Sequence, residues 1–499
     1  MTAVPQQAQP AIRRRRPVVH APLVQLDPPR LVLLAAFFAS VVAVVMAAQP
    51  MRYVLAPFLA IALMVLLFLI SAYRREKTLP VFEVASYWIA AAALYGGFPL
   101  LNFMAGGLRW YPLSDNRIWG LDPGPWAVGA FGWRYALHMA AFLIVYLPLR
   151  QSAKLPRLDP IGRSRIVATI VGAVLATLFI YAIGHIYGVS YMVSYQDLVQ
   201  GKVRGFADLG SLPVMQIVSV VTAVRFVLLQ IVIALIMLKW RRSIAARIGL
   251  IVFLGALGGT IVVMGTARSE FILLLMTTIM FYHRFVRRIP FIIAIPAGVL
   301  FLGGFLLMGI MRDFQGVQTV SEYDVPLLAS SNEFQAVFAT AYDLHVARQT
   351  GELQHIPWQI HWSDFYALIP SQILPFEKID PSAWYLHFRN ITGAGFMFGV
   401  MSQAVVGWDW LELAIRGALV GLFCAFFQRW YTRHAREFWP TIALTFLSIW
   451  MYYSMRQGSF AFLYFIVYRF IPTFLAVETV AWLLRDGRRR FSRKRSATG

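Results

Sequence analysis

The sequence predicts an all-α polytopic membrane protein with about twelve transmembrane helices and one large external loop. Three observations carry this prediction. The chain has 499 residues, 59% of them apolar and 14% charged, where a soluble chain of this length carries roughly a quarter charged residues. Its mean hydropathy is +0.63, and the apolar residues come in runs of about 17 to 25, the length that crosses a bilayer as helix. The lysines and arginines, which give a net charge of +22, gather in alternate loops between those runs.

The elements follow in order. Residues 1–30, "MTAVPQQAQPAIRRRRPVVHAPLVQLDPPR", are rich in Pro and Arg and read as a disordered basic cytoplasmic tail, not as a signal peptide. Nine spans are expected within 31–311, at 31–48, 53–72, 84–104, 126–147, 165–187, 213–238, 248–264, 270–284 and 289–310. Residues 312–395 form the large loop, with helical patterning near 331–349. Three more spans lie within 396–484, at 396–428, 438–454 and 460–484, and a basic tail occupies 485–499. The tenth span is too long for one straight helix and is expected to begin with a broken or tilted piece in "ITGAGFMFGVMSQAVVGWDW". No internal repeat is found. The single cysteine, Cys424, sits in an apolar run, which excludes a disulfide framework or thiolate metal site and suits a small buried residue.

Charge fixes the expected orientation, because short cytoplasmic loops hold the Lys/Arg excess. The N-terminal arginines, "YRREK", "LRQSAKLPRLDPIGRSR", "KWRRSIAAR", "HRFVRR", "QRWYTRHAR" and the C-terminal "RDGRRRFSRKRS" contain 30 of the 45 Lys/Arg. Both termini are therefore expected in the cytoplasm. Topology and contact with anionic lipid account for most of the charge, so nucleic acid is not an expected partner.

Several arginines fall outside this account. Arg134, Arg225, Arg416 and Arg469 lie inside expected spans, and Arg268, Arg312, Arg389 and Arg456 lie at outer span ends or in outer loops. An arginine within a bilayer is costly, so it snorkels, pairs or serves a function. As a set they suggest an anionic ligand, since the planar guanidinium donates paired, charge-assisted hydrogen bonds to phosphate. The turn "GTARSEF", residues 265–271, is a particular case. A span of about 14 residues rises only about 21 Å against a core of roughly 30 Å, so this turn is expected to dip below the outer headgroups. Gly265 allows the tight exit, Ser269 or Thr266 caps the next helix, and Arg268 reaches the depth of a lipid-linked phosphate. The plainer alternative is a capped hairpin with a local Arg268–Glu270 pair.

Three stretches resemble the bacterial O-antigen (Wzy-type) or oligosaccharide repeat-unit polymerases, within the wider group that includes O-antigen ligases. They are "MGTARSEFILLL", the loop and span entry "LIPSQILPFEKIDPSAWYLHFRNITGAGFMFGVMSQAVVGWDW", and "MRQGSFAFL" before the last span. The resemblance covers roughly 245–475; the first six spans match in hydropathy alone. One departure is that the acidic residue of the family's Glu-aromatic-Gly pattern, after the Gly-rich stretch, is either replaced by Gln403 or absent here.

The resemblance implies a GT-C-like, metal-independent glycosyltransferase without cofactor on the periplasmic face of the bacterial inner membrane. Its substrates would be undecaprenyl-pyrophosphate-linked glycans, the growing chain passing to a new lipid-linked repeat, with a chain-length regulator and a flippase as partners. Arg268, Arg312, Arg389 and Arg456 are the candidate pyrophosphate clamp, where fixed positive charge helps departure. Glu333, His345 and Asp313 are the candidate bases for the attacking sugar hydroxyl. His355 and His361, beside Trp358 and Trp362, have weak metal spacing and suit a sugar-stacking surface equally. The outer segments lack an Asp-x-Asp pair that could hold a cation against a nucleotide sugar. Two rivals stay open: a ligase using the same donor, and a transporter or flippase, which would be expected to show paired repeats and intramembrane acidic residues.

Overall fold

The computed structural model describes residues 28–76, 80–106, 124–151, 155–187, 189–190, 204–205, 213–240, 243–264, 268–290, 293, 332–371, 373–390 and 398–497. Apart from a two-residue pairing of Val189–Ser190 with Arg204–Gly205, the regular structure among them is helical. In chain order the long helices are α1 (Pro28–Met46), α2 (Gln49–Glu76), α3 (Val84–Gly106), α4 (Pro125–Leu149), α5 (Arg163–Ile186), α6 (Pro213–Lys239), α7 (Ile244–Met264) and α8 (Arg268–Phe281). The later ones are α9 (Asn332–Gln349), the short α10 (Trp358–His361), α11 (Ser363–Tyr366) and α12 (Pro381–Phe388), then α13 (Val400–Val406), α14 (Trp410–Arg433), α15 (Phe438–Trp450), α16 (Tyr453–Arg456), α17 (Phe462–Phe465) and α18 (Ile471–Ala497). Eight helical segments among the described residues are long and apolar enough to cross a membrane, and Ile244–Gly255 and Ile272–Val286 are shorter apolar pieces.

The differences from the expected twelve spans have local causes. The expected ninth span, 289–310, lies almost wholly outside the described residues. The eleventh is only the 13-residue α15, with most of its side chains buried inside the bundle. The tenth is broken as expected: α13 stops at Val406, and α14 starts at Trp410. The eighth is longer than the sequence suggested, because α8 continues through a π-helical turn, Tyr282–Val286. Arg284 in that turn donates to the carbonyls of Pro156 and Ala435. From Arg268 to Val286 the helix rises about 28 Å at ~1.5 Å per residue, its apolar part being the shorter Ile272–Val286. Residues 265–267 of the expected dipping turn lie outside the described residues. The expected tail beyond residue 484 is a helical continuation of α18 to Ala497.

The loops separate to two ends of the bundle. At one end Arg75 donates to the Arg150 carbonyl, the Asp159 amide to Arg436, Arg284 to Pro156 and Ala435, and Trp240 meets Tyr282 edge-on. Five of the basic segments meet there. A buried Glu83–Arg150 pair at 2.7 Å holds the start of α3 to the end of α4 at the same end. The opposite end gathers the starts of α4 and α14, the turn 456–460 and the segment 332–390.

Close backbone approach sets the core. A Cβ on Gly417 of α14 would lie 2.3 Å from the His138 carbonyl of α4, and one on Gly421 would lie 2.7 Å from the Phe142 carbonyl. In lipid, helices associate by such tight contact and not by hydrophobic exclusion from water. The helix of the large loop belongs to this core too: on α9, Phe334 packs edge-on to Tyr95 of α3, and Phe338 meets Phe131 of α4. Gly417→Val should therefore separate α4 from α14, at a cost of at least about 2 kcal/mol for overpacking against rigid backbone. Gly249→Ala, where a Cβ meets nothing within 4 Å, should be tolerated. Thermal midpoints in detergent check this, and a wild-type midpoint for Gly417→Val would refute the packing account.

Candidate functional site

The site grows from the break between α13 and α14. Gly407 follows the end of α13 in close contact with two side chains: a Cβ there would lie 2.0 Å from Oε2 of Glu412 and 2.2 Å from the His361 ring, so both would have to shift. The chain then turns through Asp409, whose φ of 49° lies in the region that favours glycine and costs a side-chain-bearing residue about 1–3 kcal/mol. Two interactions hold it there. Its amide donates to the Ala404 carbonyl at 2.7 Å, and its carboxylate receives both Nε and Nη2 of Arg134 at 2.7 Å. The Arg134 guanidinium also lies over the rings of Phe131 and Trp410, at 4.8 and 4.6 Å. From α9, Arg348 donates to the carbonyls of Val405 and Gly407, capping the end of α13, where carbonyls lack helical partners.

A second cluster lies just behind. Arg416, one turn after Glu412 on α14, donates to Glu412, to Oδ2 of Asp364 at 2.8 Å and to the His361 carbonyl at 3.1 Å. Asp364 also accepts from the Phe460 amide and from Gln403 Nε2. Glu412 accepts from the Trp408 amide at 3.1 Å, and its Oε2 lies 3.3 Å from His361 Nδ1. The Gly458 turn closes over this cluster with φ +121° and no room for a Cβ against Gln403. One buried network thus joins the large loop, the broken helix and the turn before the last span. Gln403 meets the Asp364 carboxylate across space, 39 residues away in sequence.

A cavity of about 540 Å³ opens beside the first cluster, with His345, Arg348, Gln349, Trp408, Asp409 and Leu411 in its lining. His345 is half-buried, edge-on to Phe131 at 5.5 Å. Burial lowers its pKa, repulsion from Arg134 and Arg348 adds to this, and Asp409 partly offsets them. Its imidazole is therefore neutral at neutral pH and can accept a proton.

Of the expected site residues, His345 reaches this cavity. Arg389, at the end of α12, is engaged elsewhere: Asp343 of α9 takes its Nε and Nη2 at 2.7 and 2.8 Å, and Glu352 takes Nη1 at 2.6 Å. Burial opposes the Arg389 cation, but hydrogen bonds and charge from Asp343 and Glu352 carry its pKa up. Burial likewise raises the Asp343 carboxyl, against the pull of Arg389 and the Tyr385 hydroxyl. Arg456 ends α16 with its guanidinium 5.6 Å from the Tyr453 ring. Arg268 opens α8 and Glu333 lies in the first turn of α9, with side chains outside the described set. Arg312 and Asp313 lie outside the described residues. Among the described residues no three His, Cys, Asp or Glu side chains converge as a metal site, and His361 is turned toward Glu412.

The sequence singled out Arg134 and Arg416 as arginines needing partners, yet their roles beside Asp409 and Asp364 were not visible. The Glu412–Arg416 spacing of one helical turn was a local signal for that pair. Asp409 and Arg134 are 275 residues apart, and no local pattern joins them. Among known proteins, no family model, no curated protein and no solved structure matches the chain.

Proposed function

We propose that the protein polymerises undecaprenyl-pyrophosphate-linked oligosaccharide repeat units for a surface polysaccharide, at the outer end of a bundle whose basic end faces the cytoplasm. The observation that carries this reading is the cavity between α9 and the α13–α14 break. It combines a neutral imidazole, the Arg348 guanidinium and a fixed carboxylate with the exposed apolar side chains Trp408 and Leu411. A polyprenyl-linked sugar has the same division, with a polar reacting end and a tail that belongs in lipid. The resemblance of "GTARSEF", the span entry and "MRQGSFAFL" to repeat-unit polymerases supports the same reading.

In this mechanism the acceptor hydroxyl attacks the anomeric carbon of the donor's reducing-end sugar. The new glycosidic bond forms as the bond to undecaprenyl pyrophosphate breaks, and that pyrophosphate leaves with its electron pair. His345 takes the hydroxyl proton. Burial, with repulsion from Arg134 second to it, keeps the imidazole neutral beforehand, and Asp409 offsets the imidazolium charge that develops. Arg268, Arg312 and Arg456 are the proposed ligands of the departing pyrophosphate, whereas Arg389, held by two carboxylates, positions α9.

Three measurements test this. Because the His345 pKa is lowered from 6.5, turnover should rise with pH through a value below 6.5 and then stay level. His345→Gln should cut turnover by about 10²–10⁴ and remove that acid limb; an unchanged pH profile would exclude His345 as the base. Extension of a lipid-linked repeat by purified protein should proceed equally in excess chelator and in magnesium, and loss restored by metal would overturn the metal-independent clamp. Finally, Arg268→Lys should cut polymer output strongly at normal protein level, since lysine cannot donate the paired hydrogen bonds. If Arg268 merely pairs with Glu270, Glu270→Gln will be as harmful as Arg268→Ala, and the double variant will recover.

A further inference from the structure

Beyond the cavity lies an aromatic shelf that the proposed chemistry does not use. Trp408, which lines the cavity, is 61% exposed, and Trp362 is 43% exposed. The His361 ring lies between them, 5.0 Å from Trp362 at an interplanar angle of 82° and 6.0 Å from Trp408. Trp358, one turn earlier, is 53% exposed and is braced from behind by Phe376, edge-on at 4.7 Å.

The shelf is rigid. The His361 carbonyl accepts from Arg416, its ring faces Glu412, and the adjoining Asp364 is fixed by Arg416, Gln403 and the Phe460 amide. The Tyr366 hydroxyl ties the same segment to the carbonyls of Gln359 and Ile379. Exposed indoles on a segment tied down in this way offer flat apolar faces, and an imidazole between them adds a polar edge.

We infer that Trp408, His361 and Trp362 form a subsite for a carbohydrate chain, leading from the cavity along the outer end of the bundle. A sugar ring has the matching division of surfaces: C–H faces that stack on indole, and hydroxyls at the rim for the imidazole and for water. Continuity with the polar cavity favours a glycan over lipid, because Asp409 and Arg348 stand at one end of the shelf and Glu412 beneath it. The role assigned to the subsite rests on the polymerase reading: it holds the glycan beyond the reacting sugar, so that successive repeats are added before release.

The test uses the full chain in detergent, with labelled oligosaccharides from partial hydrolysis of the cell's own surface polysaccharide as probe. Affinity is measured by equilibrium dialysis, and chain length is read from polymer ladders in cells. Trp362→Ala and Trp408→Ala should each weaken binding about tenfold, equivalent to 1.4 kcal/mol, and shift ladders toward short chains. Trp362→Tyr should retain most of the affinity. Trp482→Ala, an exposed indole on α18, should change neither readout. Absence of binding to the wild-type chain, or equal binding by all variants, overturns the subsite. So does quenching of Trp362 and Trp408 by brominated lipid in reconstituted vesicles, which would seat the shelf in the membrane interface. The two readings separate cleanly. Binding that the substitutions weaken, without extension of a lipid-linked repeat, would leave the subsite standing and remove the polymerase. Extension with unaltered affinity and chain length would do the reverse.

Discussion

The site end of this protein depends on the guanidinium of Arg416. It is buried in the bundle, bonded to Glu412 on its own helix, to Asp364 in the large loop and to the His361 carbonyl. Two segments distant in sequence meet at one cation, and a third joins through the Phe460 amide on Asp364. Taking such charges out of water is unfavourable, and their attraction repays it only with good geometry and further hydrogen bonds. Here the lone pairs of both carboxylates are taken up by further donors. Removing Arg416 would leave two buried carboxylates without their cation, a change typically worth about 3–5 kcal/mol. The network therefore selects one arrangement of loop, broken helix and turn over looser alternatives.

That arrangement makes the cavity possible. Gly407 brings the end of α13 against Glu412 and His361, and the next residues must then reverse within a few bonds. Asp409 does so with a left-handed φ, a conformation it keeps because Arg134 grips its carboxylate from α4. Arg348 completes the turn by capping α13 from α9. The polar groups facing the cavity are thus held by contacts on their far sides. Groups held in this way are already fixed before any ligand arrives.

Much of this was legible in the sequence, but unevenly. Helices α2 to α6 follow from apolar length, and the break near "VVGWDW" follows from a run too long for one straight helix. The loop helix α9 was legible from its periodicity at 331–349. Its insertion among α3 and α4 was not, since Phe334 and Phe338 read equally well as faces of a surface helix. The π-helical turn after α8 was hidden because Arg284, which ends an apolar run on paper, is buried by accepting carbonyls from two distant loops. His345 was named as a candidate and lies at the cavity. Arg389 was named for phosphate, and its partners Asp343 and Glu352 were unreadable because helix and loop geometry bring them together across 46 and 37 residues.

The core and the site are coupled through one helix pair. Along α4 the contacts run from Phe142 to His138 to Arg134, and their partners run in the same direction from Gly421 to Gly417 and the Leu413 carbonyl to Asp409. Partners that progress in the same direction mean that the two helices run parallel, both starting at the site end. Glycine sets how closely they approach in the middle, and that approach brings Arg134 within bidentate reach of a carboxylate on the turn. A wider spacing would leave Arg134 without its partner in an apolar surrounding, where an unpaired guanidinium is poorly tolerated. Asp409 would then lack the grip that holds its strained backbone, and the floor of the cavity would relax. Packing made by the smallest side chains and recognition made by the most polar ones are in this way two ends of a single helix register.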